Sequence, residues 1–205
     1  MADVKLTYIP GSRSLRVRWL LEELGVPYQL ERVTFARGHL KTPEYLAKNP
    51  LGLVPTLEDG DSVLFESGAI FEHVLEKHDP EGRLLPRANP ARANVRSWMH
   101  WAEGSASPPL GIYLRHAVML PEERRIGAAA DEAKKRLVQV FEAVARQLER
   151  QDFLAARDFT AADVMLGLTL LLCKQVALLG PEFPSLLAYY ERLAGREAFT
   201  RANAD

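Results

Sequence analysis

Residues 164–173 read Val-Met-Leu-Gly-Leu-Thr-Leu-Leu-Leu-Cys, nearly three turns of helix with no polar face. The run falls well short of the ~20 residues needed to cross a bilayer. Such a helix has to be sheathed by others of the same chain. Its start is marked as well: Thr160-Ala161-Ala162-Asp163 has the form of a capping box, and Phe159 and Val164 are placed to form a hydrophobic staple around it. Two sheathing helices can be read nearby. In residues 90–104, Val95, Trp98, Met99 and Ala102 share one face, and Leu137, Val140, Phe141, Val144 and Leu148 make a stripe on a long helix that Pro121 opens. Pro108-Pro109 lack the amides of a continuing helix and are expected to break or kink the chain.

Residues 4 to about 78 follow another rhythm. A β-rich run over residues 4–9 closes at Pro10-Gly11, and Val17, Leu20, Leu21 and Leu24 then recur at helical spacing up to Gly25, which suits a C-cap. Residues 28–33 suit a second strand, residues 43–47 a short helix, and 54–58 with 62–65 a hairpin around Asp59-Gly60-Asp61. Ser67 is expected to cap a helix carrying Ile70, Phe71, Val74 and Leu75. The order βαβ, short helix, ββ, α describes a small α/β layer. Residues 79–90, rich in Pro, Gly, Asn and Arg without apolar period, are the expected linker to an all-helical part.

Composition excludes several classes of function. With 47% hydrophobic residues among 205, the chain can bury a core and is not disordered. A net charge of −1 leaves no basic excess to neutralise phosphates, which argues against nucleic acid as the main partner. The start Met1-Ala2-Asp3 has no leader character and no run spans a membrane, so a soluble cytoplasmic protein is expected. Cys173 is the sole cysteine, which rules out an internal disulfide, and its leucine neighbours suggest a buried, inert thiol. No P-loop, dinucleotide glycine fingerprint, His-Glu-x-x-His or Gly-x-Ser-x-Gly occurs, and none of His39, His73, His78, His100 and His116 is paired at i, i+4, so no metal is expected.

Three places in the first half can converge on one ligand. Pro10-Gly11-Ser12-Arg13-Ser14 leads into a helix whose first amides and dipole favour negative charge. Ser12 or Ser14 is there either an N-cap or a hydroxyl presented to an anion such as a thiolate. Asn49-Pro50-Leu51-Gly52-Leu53-Val54-Pro55 delivers a strand beginning Val-Pro; with Pro55 cis, the Val54 backbone could pair with an extended peptide. Glu66-Ser67 opens a helix, where Ser67 and the first amides suit a carboxylate and Glu66 an adjacent ammonium, the two charges of an amino-acid head group.

Ser12-x-x-x-Arg16 with Trp19-Leu20-Leu21-Glu22-Glu23-Leu24-Gly25, then Asn49-Pro50-Leu51-Gly52-x-Val54-Pro55-Thr56-Leu57, Glu66-Ser67-x-Ala69-Ile70 and Phe159-Thr160-x-Ala162-Asp163 resemble, in order and spacing over nearly the whole chain, the cytosolic glutathione S-transferase family. The resemblance implies a thioredoxin-like α/β domain over residues 1–79, a linker over 80–89 and an all-α domain over 90–205. It also implies a homodimer, with glutathione as co-substrate. On the same ground, Ser12 aligns with the serine that stabilises the thiolate in theta- and zeta-like or bacterial serine-type branches, with Arg13 and Ser14 as alternates. Val54 and Pro55 would hold the cysteinyl unit, Glu66 and Ser67 the γ-glutamyl end, and His39 the glycyl carboxylate. An electrophile would meet Pro10, Gly11, Trp101, Ser105, Pro108 and Tyr113, near Trp98 and Pro109.

The departures matter too. The position held by a cysteine in the beta-like branch is Arg13, which excludes mixed-disulfide chemistry there, and Leu53 stands where many relatives carry a basic residue. Tyr8, inside the first strand, is expected to pack. The expected reaction is conjugation of the thiolate with a small apolar electrophile. A noncatalytic binding or regulatory module, or glutathione-dependent reduction of peroxides or disulfides, are the alternatives.

Overall fold

The computed structural model describes residues 3–35 and 38–204; Met1 and Ala2, on which the leader expectation rests, lie outside the described residues. Contacts divide the chain into two units, one running to Leu84 and including the stretch from Ala194 onwards, the other spanning Leu85–Leu193.

The first unit is built on a four-stranded sheet of β1 (Val4–Tyr8), β2 (Tyr28–Arg32), β3 (Thr56–Asp59) and β4 (Ser62–Phe65) in the order β2-β1-β3-β4. Val4, Leu6 and Tyr8 are buried, as a strand with neighbours on both sides requires. The Arg18 guanidinium lies over the Tyr8 ring, so Tyr8 packs as expected. β1 and β2 run parallel, joined through helix α1 (Ser14–Leu24), whereas β3 is antiparallel to β1 and β4 to β3. Gly25 adopts φ 65° just after α1, and its N–H reaches the Leu21 and Glu22 carbonyls, ending the helix where the sequence places its cap. Helix α2 (Pro43–Leu46) and helix α3 (Ser67–His78) complete the α/β layer. Asp79, within the expected linker, is buried and accepts the Arg83 and Leu84 amides at 2.9 and 2.8 Å, so the chain is pinned there.

Helix α9 (Glu197–Asn203) belongs to this same unit and packs on α1: Trp19 meets Phe199 edge-on, and Arg196 donates to both oxygens of Glu23 at 2.6 and 2.8 Å. Glu23 Oε1 also accepts the Trp19 indole N–H at 2.8 Å.

The second unit contains α4 (Ala91–Trp101), α5 (Ser107–Tyr113), α6 (Gly127–Leu148), α7 (Ala161–Gln175) and most of α8 (Pro184–Ala194). The apolar run of α7 is its centre, buried almost throughout. Asp163 accepts the Thr160 N–H at 2.7 Å, closing the capping box, and also takes the Leu154 amide and the Tyr189 hydroxyl. Phe159 and Val164 are both buried, as the staple positions require. Cys173 is buried, and loss of solvent pushes its thiol up to about 12.

Three expectations are corrected. The Pro108-Pro109 pair does not break the helix: π-helical turns over Ala102–Ala106 and Leu114–Met119 join α4, α5 and the chain beyond into one helical path. The prolines sit in the first turn of α5, where amides lack intrahelical partners anyway, and the widened turn lets the Ser107 N–H and hydroxyl both reach the Ala102 carbonyl. Pro121 does not open the long helix; a 3₁₀ turn, Glu122–Arg124, intervenes and α6 starts at Gly127. Trp98, expected on the buried face with Val95 and Met99, is only half-buried. Among the described residues no helix is long and apolar enough to cross a membrane.

Candidate functional site

Strand direction brings the candidate segments to one end of the sheet. The register pairs Tyr8 with Arg32, Thr7 with Thr56, and Thr56 with Phe65. The chain therefore leaves β1 and β2, enters β3 and leaves β4 at a common edge. The Ser12 loop, the turn holding His39, the Val54 loop and the Glu66–Ser67 junction all emerge there. Four strands at about 4.8 Å spacing span roughly 14 Å, and an extended tripeptide is about 10 Å long, so one such ligand can touch three of these segments at once. Ile9, Val33, Leu40 and Val54 form one buried apolar cluster, with Tyr45 against it, so three of the four loops share a floor.

Ser12 precedes α1. Its hydroxyl lies 2.7 Å from the Ile9 carbonyl and accepts the Ser14 N–H at 3.2 Å, while the half-buried side chain stays accessible. Ser14 has no exposed surface and its hydroxyl takes the Ile9 N–H at 3.0 Å. Arg13, at the N-cap position, is exposed and supplies no side-chain cap. Thus neither serine is a simple cap: Ser14 holds the chain entering α1, and of the two serines only Ser12 keeps exposed surface. Pro10 is half-buried and Gly11 exposed in the same loop.

The Val54 loop is fastened from below. Asn49, itself buried, donates to the Leu53 carbonyl at 2.9 Å, and the Tyr45 hydroxyl donates to the same oxygen at 2.6 Å. The Val54-Pro55 peptide is cis, the condition under which the Val54 backbone could pair with a peptide, and the ladder begins only at Thr56, which leaves Val54 outside it. His39 is exposed at the start of a 3₁₀ turn, His39–Lys41. Sequence reasoning missed Lys41, whose ammonium lies 2.7 Å from the Leu51 carbonyl and so brings a cation to the loop in which Leu53 lacks one. The signal was a basic residue two positions beyond His39, in a turn already singled out.

Glu66 and Ser67 depart from expectation. Ser67 is not the cap of α3 but its first residue; Glu66 holds the cap position at φ 67°, a region that non-glycine residues seldom occupy, and makes no side-chain cap. The Ser67 hydroxyl is buried and makes no hydrogen bond to any of the described residues. A buried hydroxyl without a partner costs about 1–3 kcal/mol, and a left-handed non-glycine residue beside it adds strain of similar size. Both local costs fall on adjacent residues at the N-terminus of a 12-residue helix, where the first backbone amides lack intrahelical partners.

In the second unit, Trp101 meets Trp98 edge-on at 5.0 Å, both half-buried. Ser105 and Pro108 are exposed, Tyr113 is half-buried and Pro109 buried, all on one helical path. Among the described residues no group of three or more His, Cys, Asp or Glu side chains is arranged to hold a metal ion.

Residues 2–76 match the model of the glutathione S-transferase N-terminal domain and residues 127–192 that of the C-terminal domain. Glutathione S-transferase 4 of Zea mays is 36% identical over 187 residues, 87% of this chain and 81% of the relative. Glutathione S-transferase 3 of the same plant is 30% identical, covering 100% of this chain and 95% of its own length. The crystal structure of the theta class glutathione S-transferase from Xanthomonas axonopodis pv. citri with glutathione bound superposes with TM-score 0.88 at 31% identity, covering 100% of this chain and 99% of that one.

Proposed function

The chain belongs to the glutathione S-transferase family, and on that premise we propose that glutathione lies across the strand ends of the first unit with its sulfur at Ser12. The enzyme is a glutathione transferase. The observation that carries the reading is the Ser67 hydroxyl, buried and unpaired at the start of α3, which suits the α-carboxylate of a γ-glutamyl group. Glu66, exposed beside it, faces the ammonium. The Val54 backbone pairs with the cysteinyl unit, as an added strand pairs with a sheet edge. His39 and Lys41 supply the glycyl carboxylate with donors.

That arrangement sets the sulfur's charge. A free thiol has a pKa near 8.5, and lowering it by about two units needs about 2.7 kcal/mol of preferential thiolate stabilisation. A hydrogen bond to a charged group supplies about 1.5–3 kcal/mol, so the Ser12 hydroxyl with the α1 dipole is sufficient. The thiolate then forms a bond to the electrophilic carbon of a small apolar substrate, whose leaving group departs with its electron pair. Within the first unit, Pro10 and Gly11 of the Ser12 loop are the proposed contacts of that substrate.

A homodimer is also part of this reading. Val63 and Phe65, 46% and 41% exposed, stand on β4, the edge strand, and Leu51 and Leu53 are exposed on the Val54 loop. Apolar side chains on an unpaired edge suit a second copy of the chain.

Calorimetric titration with glutathione and turnover of a chloronitrobenzene test the assignment. Wild type is expected to bind and conjugate, and Ser12→Ala to bind but lose at least about tenfold in turnover. Absence of a binding heat in the wild type would overturn the reading.

A further inference from the structure

The two serines before α1 differ in exposure but are joined. Ser14 Oγ, without exposed surface, accepts the Ile9 N–H at 3.0 Å and lies 2.7 Å from Ser12 Oγ and 3.1 Å from the Ile9 carbonyl. Ser12 Oγ accepts the Ser14 N–H at 3.2 Å and lies 2.7 Å from the same carbonyl. Each hydroxyl carries one proton and can accept two. If Ser12 points its proton at Ile9 it has nothing to offer a sulfur. Ser14, however, has the Ser12 oxygen as its nearer acceptor. When Ser14 donates there, the two acceptor positions of Ser12 are filled by the Ser14 N–H and O–H, and the remaining Ser12 proton can turn outward. The Ile9 carbonyl keeps the Ser12 N–H at 3.2 Å, so no buried group is orphaned.

We propose that Ser14 is a positioning residue of the transferase, donating its hydroxyl proton to Ser12 Oγ so that Ser12 donates its own to the glutathione sulfur. The proposal rests on the assignment of the sulfur to Ser12 made above. A hydroxyl that accepts hydrogen bonds is polarised into a better donor, and its rotor is fixed before the ligand arrives. Ser14 itself never touches the substrate, since it has no exposed surface. Its effect passes wholly through Ser12.

The test is ultraviolet titration of the thiolate in the enzyme–glutathione complex, with Ser14→Ala, the volume-preserving but weakly donating Ser14→Cys, and Ser14→Thr, which keeps the hydroxyl. Melting curves confirm folding of each variant. Losing the 10–30% strengthening of a charge-assisted hydrogen bond predicts a thiol pKa raised by up to about 0.7 unit in the first two, at most roughly a fivefold loss of thiolate below the pKa. Ser14→Thr should restore the wild-type titration, and Ser14→Ala should add nothing in an enzyme already carrying Ser12→Ala. An unchanged titration in folded Ser14→Cys, or an equal further rise on top of Ser12→Ala, overturns the relay while leaving the Ser12 assignment intact. A titration unmoved by Ser12→Ala overturns both.

Discussion

Gly52 approaches the backbone of Leu40 so closely that a Cβ at this position would overlap the Leu40 carbonyl oxygen, and its φ of 58° lies in the region glycine adopts freely. This contact lays the Val54 loop on the turn that carries His39 and Lys41, and the Lys41 ammonium bonds the Leu51 carbonyl across the same junction. Gly52→Ala is therefore expected to destabilise the protein by about 2 kcal/mol or more, since neither the backbone oxygen nor the dihedral can yield cheaply. The glutathione KM should rise with it. A melting temperature within a degree or so of wild type would contradict this packing.

Ser67 and Ser12 should respond to mutation in opposite ways. Ser67→Ala removes a buried hydroxyl that has no partner among the described residues, so the ligand-free protein should be unchanged or up to about 1 kcal/mol more stable, while KM for glutathione rises. In Ser12→Ala the loss is expected in kcat, with the thiol pKa raised. Steady-state kinetics and melting curves on both variants separate the roles. A kcat loss without a KM change in Ser67→Ala would remove it from the γ-glutamyl end.

Asp59 ties β3 to α3 and carries a pH dependence of definite sign. Burial pushes its carboxyl up, but hydrogen bonds from Lys77, His78 and His73, at 2.6, 3.0 and 2.9 Å, hold it down at about 2. A depressed acid contributes stability above its unfolded pKa, near 3.8, and loses it as pH falls toward about 2. Up to about 2 kcal/mol should disappear across that window. Asp59→Asn should flatten that acid limb in urea unfolding followed against pH. An identical limb in the variant would refute the assignment.

Glu23 binds Arg196 from the far end of the chain and the Trp19 indole N–H at once. The Glu23 side chain is only 6% exposed, so Arg196→Ala leaves a nearly buried carboxylate short of its cation. A loss of about 2–3 kcal/mol is expected, without change in the KM of correctly folded enzyme. Differential scanning calorimetry checks the first and kinetics the second.

Cys173 gives a probe of the helical unit. With its thiol buried and raised to about 12, a neutral-pH thiol reagent should label it only when the chain opens, at a rate that tracks urea concentration. Rapid labelling of the native protein would place Cys173 at the surface.

Much of the fold is legible in the chain itself because its signals are local. Apolar spacing at Val17, Leu20, Leu21 and Leu24, the stop at Gly25 and the box at Thr160 and Asp163 each depend on residues within a few positions of one another. Two places are not legible in this way: Pro108-Pro109, where the helix widens instead of breaking, and Pro121, after which α6 starts only at Gly127. Proline removes one amide, but whether the helix stops or widens into a π-turn depends on other donors; at Ala102 the Ser107 N–H and hydroxyl supply them.

The amino-acid order alone determined which side chains were available: serines before a helix, a Val-Pro turn, and an acid followed by a serine. Only the tertiary structure decided their parts. Strand direction gathers loops up to 58 residues apart, from Tyr8 to Glu66, at one sheet edge. Packing then closes Ser14 from solvent while leaving Ser12 accessible, and buries the Ser67 hydroxyl with no partner among the described residues. Propensity acts over a few residues, whereas exposure and convergence are properties of neighbours distant in sequence, which only the folded chain supplies.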